Sequence, residues 1–283
     1  MPTPPHLSRP VALAVTSLVM VAFAANSVLA RLALVSTDID AASFTAVRVV
    51  AGALVLVLLV RQRGRTLQGS WRAALALFVY AAAFSFAYLD LSTGTGALLL
   101  FGAVQGTMVG AGLAGGERMG AVRWLGSGLA LAGLVVLVAP GVTAPPPGAA
   151  ALMAAAGVGW GAYSLAGRGQ SDPIAATAGN FARGALLAVL LAGAAAATGG
   201  LSLDPAGVGW AVLSGAVTSG LGYVAWYAVL PSLRAASAAT VQLSVPVLAA
   251  LGGVAFVSEP VTLRLAIASV VTLGGIALVV RGR

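Results

Sequence analysis

The sequence predicts an all-α polytopic membrane protein, with ten transmembrane helices arranged as two inverted five-helix repeats. Three observations carry this expectation. Of 283 residues, 60% are apolar and 8% charged, a balance that leaves too little polar surface for a soluble domain. The apolar residues fall into runs of about 20, the length that crosses a bilayer core. An offset of 142 residues pairs Ala97 with Ala239, Gly110 with Gly252, Glu117 with Glu259, Ser127 with Ser269 and Gly133 with Gly275, so the chain reads as one half written twice. With an odd number of spans in each half, the second half lies upside down relative to the first.

Residues 1–140 form the first repeat, with spans expected at 11–31, 41–60, 72–90, 94–114 and 119–139. Arg9, the apolar run from Val11 and the Val28-Leu29-Ala30 step resemble a secretory signal. The run is longer than a signal core, and its removal spoils the symmetry of the halves, so it is expected to stay as the first span. Between Arg123 and Arg168 there is no charge, a stretch too long for one span. Pro140 and the run Pro145-Pro146-Pro147 divide it, because proline lacks an amide proton and blocks helix propagation; residues 141–147 are the linker. Residues 148–283 form the second repeat, with spans at 148–167, 173–197, 206–230, 236–257 and 261–280.

Charge distribution orients the bundle. The basic residues are all arginines, near the ends of apolar runs, a pattern that fits membrane orientation and not nucleic-acid binding despite the net charge of +8. With the N-terminus inside, the inner breaks carry eleven arginines (9, 61, 63, 65, 72, 118, 123, 168, 234, 281 and 283) and the outer breaks only Arg31 and Arg264. Both termini are therefore expected in the cytoplasm, with the chain multi-pass in the inner membrane. Cysteine is absent and the single histidine is His6 in the N-terminal tail. Disulfides, thiolate chemistry and histidine-containing metal sites are excluded, no carboxylate cluster suggests a metal, and no cofactor is expected. No G-x-S-x-G or H-E-x-x-H pattern occurs, so the chain is not expected to be an enzyme.

Polar residues inside apolar spans are costly unless they face protein or water, so they are candidates for a solute route. Asn26 and Ser27 in the first span match Tyr163 and Ser164 in the sixth, a duplicated polar step. Arg48 and Arg183 sit at corresponding places in spans two and seven. Each guanidinium needs carbonyls, a carboxylate or water, and one facing a cavity would hold an anionic group; the alternative is a helix cap or a snorkelling side chain. Tyr80, Phe84 and Tyr88 recur on one helical face, mirrored by Tyr223, Trp226 and Tyr227. Such rings would stack on flat apolar or cationic molecules. Tyr88, Trp71, Trp124 and Trp210 are assigned to an interfacial belt, and the deeper Trp160 to the pathway. Gln105 and Thr107 in span four, and Gln242 and Ser244 ahead of Pro246 in span nine, offer neutral hydrogen-bonding groups. Gly102, Gly106 and Gly110 form a small-residue ridge read as packing. Glu117 and Glu259 are read as structural, each at a helix start where the dipole favours a carboxylate.

These residues resemble the EamA-type transporters of the drug/metabolite transporter superfamily. The carriers are Gly116-Glu117-Arg118 followed by a span ending Leu131-Ala132-Gly133-Leu134-Val135, and Ser258-Glu259-Pro260 followed by Leu273-Gly274-Gly275-Ile276. The passage from Tyr88 through Leu98, its partner from Tyr227 through Thr240, and Pro246 complete the likeness, which spans essentially the whole chain. The resemblance implies a central pathway lined by helices one to four and six to nine, with helices five and ten peripheral. Val104, next to Gln105, stands where the first repeat would match Pro246, so a helix break is not carried over to span four.

The expected function is secondary transport of small organic metabolites, amino acids or drugs by alternating access, with export implied by the resemblance. The few fixed charges point to neutral, zwitterionic or amphipathic substrates. The expected partners are that small molecule and the lipid bilayer; a homodimer stays open, and nucleic acid is not expected. A channel or structural scaffold, and more remotely a membrane enzyme, are the alternatives.

Overall fold

Apolar sequence with well-placed breaks yields helix after helix. The computed structural model describes residues 8–167, 170–233 and 241–281, and all regular structure among them is helical. His6, Arg168, Arg234, Ala239, Thr240 and Arg283 lie outside the described residues. The helices are α1 (Arg9–Ser36), α2 (Ala41–Gln62), α3 (Trp71–Ala87), α4 (Thr93–Ala114), α5 (Ala121–Val138), α6 (Pro147–Ala166), α7 (Pro173–Ala197), α8 (Pro205–Ser232), α9 (Ser244–Val257) and α10 (Leu263–Arg281). Eight are long and apolar enough to cross a membrane, and α3 and α9 are shorter apolar helices.

The loop acids terminate this pattern. Asp40, Asp172 and Asp204 cap α2, α7 and α8, each accepting a backbone amide of the first turn. Pro173 and Pro205 follow two of them, where a missing N–H costs nothing. Ser70 and Ser92 cap α3 and α4 in the same way.

The packing interleaves the two halves of the chain. Helix α2 lies along α7 and α5 along α10, while α1 packs on α8 and α9 and α6 packs on α3 and α4. Exchanging every helix for the one five places away leaves this set of neighbours unchanged. At the α5–α10 contact a Cβ on Gly126 would approach the Gly275 carbonyl to 2.6 Å, so the backbones themselves touch. The α2–α8 crossing is equally close: a Cβ on Gly215 would run into the carbonyl of Arg48.

We call the end at which Arg9 begins α1 the near end and the opposite one the far end. At the far end Asp40 holds the amide of Ser202 at 2.8 Å, and Arg31 bonds the carbonyls of Tyr88 and Leu89 at 2.7 and 3.2 Å. Arg264 caps the last carbonyls of α5, with Ala139 as its principal acceptor. At the near end Arg65 pairs with Asp172 at 3.0 Å.

Several details differ from the sequence expectation. Helix α8 carries a π-helical segment, Leu213–Leu221, rich in small residues; wide turns of this kind recur at functional sites. Pro246 falls in the first turn of α9, where the helix loses no hydrogen bond to it, and α4 runs unbroken. Tyr88 is not an interfacial residue: it is fully buried, its hydroxyl donating to the Thr93 carbonyl at 3.3 Å. Trp71 and Trp124 are 57% exposed, as an interfacial position requires. The glycine ridge of α4 packs only at Gly102, against Leu134; no atom lies within 4 Å of a Cβ placed on Gly106 or Gly110. Glu259 does not serve its own helix α10, whose first turn is capped by the Thr262 hydroxyl. Its carboxylate instead accepts the Thr93 amide at the start of α4, 2.7 Å away.

Candidate functional site

Where α1, α3, α4, α6 and α8 meet, with Gln242 just before α9, they line a small, partly open cavity. Its wall is formed by Phe23, Asn26, Ser27, Tyr80, Phe84, Leu100, Phe101, Trp160, Thr218, Tyr223 and Gln242. Both halves of the chain contribute, and none of these described lining residues is charged.

Six of the eleven lining residues are aromatic. Trp160 stacks on Tyr223 with centroids 5.3 Å apart and planes inclined by 27°, and it lies 5.0 Å from Tyr80. Tyr80 leads to Phe84 at 5.5 Å and Phe84 to Tyr88 at 4.6 Å, the stripe that the four-residue spacing lays along α3. Phe23 meets the edge of Tyr223 at 5.9 Å. Each such pair contributes about 0.5–1.5 kcal/mol beyond its buried area.

A polar network crosses one side of this aromatic box. Asn26 Nδ2 donates to Tyr80 Oη at 3.2 Å, while Asn26 Oδ1 accepts from Ser214 Oγ at 2.5 Å and lies 3.2 Å from Thr218 Oγ1, whose single hydrogen is shared with the Ser214 carbonyl at 2.8 Å. Ser214 and Thr218 come from the π-helical segment, whose wide turn brings both hydroxyls to Asn26. Arg48 stands behind the wall, 2% exposed. Its Nη2 donates to Tyr80 Oη at 2.8 Å, and its guanidinium carbon lies 4.6 Å from the Phe84 ring centre and 5.2 Å from that of Tyr80. Arg48 Nη1 has no hydrogen-bond partner, and no described carboxylate pairs with the side chain. A charge in the hydrocarbon interior costs at least about 2.5 kcal/mol, so this arginine is held at the cavity against a substantial penalty.

Of the residues singled out in the sequence, Asn26, Ser27, Tyr80, Phe84, Trp160, Tyr223 and Gln242 come together on the cavity wall. Trp226 flanks it through Phe23, 6.2 Å away. Tyr163 faces a second cavity at the near end, together with Ser70, Thr177, Asn180 and Tyr227, and its ring is 5.5 Å from that of Trp160 on the central wall. Ser164 donates to the Trp160 carbonyl at 2.7 Å and Ser244 to that of Val241 at 2.7 Å. Gln105 is half-buried in α4 and not on the wall. Arg183 is placed away from both spaces, bonding the carbonyls of Gln68 and Gly179 at 2.9 Å each. The sequence reading missed Phe23, Phe101, Ser214 and Thr218. Phe23 lies one helical turn before Asn26 and was legible by that spacing, whereas the hydroxyls of α8 depend on the π turn.

With this geometry in view, the likenesses to other proteins fall into place. Residues 148–281 match the EamA-like transporter family. A protein of Pseudomonas aeruginosa, called uncharacterized protein PA1977, is 55% identical over 274 residues, covering 96% of this chain and 95% of that one. A crystal structure with 23% sequence identity superposes with a TM-score of 0.63 over 93% of this chain and 98% of its own, a likeness of fold. This chain belongs to the EamA-like transporter family and is a multi-pass membrane transporter of the drug/metabolite type.

Proposed function

We propose that the chain is an inner-membrane secondary transporter that exports small organic metabolites, amino acids or drugs by alternating access between two inverted five-helix repeats. The observation that carries this reading is the central cavity, walled by α1, α3 and α4 of one half and α6 and α8 of the other. A site shared by two repeats changes its exposure when one rocks against the other. The exchange-invariant packing of the ten helices supports the inverted arrangement, and the arginine-rich near end supports cytoplasmic termini. An Arg31–Glu259 ion pair at the far end and a second cavity beside Tyr163 at the near end support this reading.

Reconstituting the full chain in liposomes and following a broad panel of radiolabelled metabolites and toxic compounds, with and without a pH gradient, tests the reading. Saturable flux that competes between solutes is expected. Flux linear in concentration over the whole accessible range indicates a channel and sinks the alternating-access proposal.

A further inference from the structure

We propose that the central cavity selects a monoanion, a solute with a carboxylate or similar acceptor group held by the Tyr80 hydroxyl and an apolar body lying against the rings of Trp160, Tyr223 and Phe23. The inference rests on the transport reading and names the substrate class of that site.

The first argument is a count of donors and acceptors around Tyr80. Its hydroxyl oxygen accepts from Arg48 Nη2 at 2.8 Å and from Asn26 Nδ2 at 3.2 Å. The guanidinium offers donors only. The orientation of the Asn26 amide follows from its other end: the 2.5 Å approach of Ser214 Oγ suits an O–H···O bond and is too short for N–H···O, so the oxygen faces Ser214 and the NH2 faces Tyr80. Both acceptor positions of the phenol oxygen are thus occupied. Its own hydrogen is left to donate, and no described protein group accepts it. Tyr80 lines the cavity, so the fixed donor serves whatever the cavity holds.

The second argument is charge. Arg48 is buried without a counter-ion among the described residues, one of its nitrogens unpartnered, immediately behind Tyr80 and Phe84. An anion at Tyr80 completes that ion pair through the hydroxyl, where charge-assisted hydrogen bonds are strongest. A cation meets the opposite situation. Two of the rings that would receive it by cation–π contact, Tyr80 and Phe84, already carry the Arg48 guanidinium, and no carboxylate lines the space to balance it. The aromatic stripe, which suggests cationic ligands when read from sequence alone, is therefore committed to the protein's own cation.

Titration calorimetry on the purified full chain, with phenylacetate, phenylacetamide and phenethylammonium as matched probes, tests the proposal. Phenylacetate is expected to bind at least tenfold more tightly than the amide, with the ammonium weakest. Arg48→Met and Tyr80→Phe should each bring the acid-to-amide affinity ratio close to one. The ranking in the wild-type protein stands by itself if a variant does not fold. Tighter binding of the ammonium than of the acid, or an unchanged ratio in both folded variants, overturns the proposal, as does absence of saturable binding by the acid. None of these results touches the transport reading, which the liposome panel decides.

Discussion

Arg31 and Glu259, 228 positions apart in sequence, meet at the far end of the bundle with Nε 2.8 Å from Oε1. Their side chains are 12% and 11% exposed, and both are otherwise satisfied: Arg31 by the carbonyls of Tyr88 and Leu89 just past α3, Glu259 by the first amide of α4. The pair thus ties α1, the α3–α4 turn and the α9–α10 loop together. Glu117, 142 positions before Glu259, behaves differently. Glu117 is 56% exposed and reaches only Arg123 of the next helix, at 3.5 Å.

Removing one member of a shielded pair leaves the other charge uncompensated, which costs about 3–5 kcal/mol when burial is complete and less at this partial exposure. Glu259→Ala should therefore lower the thermal midpoint in detergent and increase labelling of a cysteine at Ser27 by an impermeant reagent applied from the far side. Glu117→Ala should do neither. If Glu259→Ala leaves both the midpoint and the labelling at wild-type values, the pair does not close the far end.

The alternation of helices puts Arg63 in the near-end loop and Ala144 in the far-end loop. With no native cysteine in the chain, single cysteines at these positions should react with impermeant maleimide from opposite faces of sealed vesicles. Reaction from one face refutes the proposed topology. Gly69 is a poor labelling position although it lies in the same loop, because its φ of +90° and its contact with Asn180 leave no room for a side chain.

Trp160 touches three of the aromatic rings around the two cavities, so its replacement measures how far the box matters. Trp160→Ala should weaken solute binding at least tenfold, and Trp160→Phe should recover much of the loss by restoring a flat face. Equal affinities for wild type, Ala and Phe, measured at matched protein abundance, would remove the indole from the site.

How much of this was readable in the residues depends on what set each position. The helices followed from run length, and the α3 stripe from its four-residue spacing, because an unbroken helix keeps its phase. Asn26 was legible because polar groups in apolar spans need partners. Ser214 and Thr218 were not, since the π turn shifts the phase of α8 exactly where they lie. The contrast between Arg48 and Arg183 was also hidden: similar places in two related helices, yet one meets a tyrosine and the other a loop carbonyl, a choice made by tertiary neighbours. Tyr88 went to the lipid interface by its place near a helix end, and the fold buries it under the Arg31–Glu259 closure instead.

That contrast between the arginines gives a further expectation. Arg183 donates to Gln68 in the α2–α3 turn and to Gly179 of its own helix, and lies 6.0 Å from the ring of Trp71 at the start of α3. Hydrogen bonds to a charged group contribute about 1.5–3 kcal/mol, less where partly exposed. Arg183→Ala should reduce stability by about 1 kcal/mol while the flux per folded molecule stays within twofold of wild type. A folded variant that has lost transport would place Arg183 on the solute route.

Asp40 supplies a pH dependence at the far end. Burial acts to raise its pKa, but the carboxylate accepts the backbone amides of Ser202, Ser43 and Ala42, and the net effect holds it below the ordinary aspartate value. Because the folded pKa is depressed, the stabilisation is fully present above the ordinary value and is lost as pH falls through the folded one. The same carboxylate caps α2 and clamps the α7–α8 loop, so Asp40→Asn, which keeps one acceptor oxygen and removes the charge, should lower stability near neutral pH by about 1 kcal/mol. The difference between wild type and variant should then shrink as the medium is acidified through the carboxylate range. Midpoints measured from pH 7 to pH 3 check this, and a gap that stays constant across that range would assign the capping to shape alone and not to the ionised carboxylate.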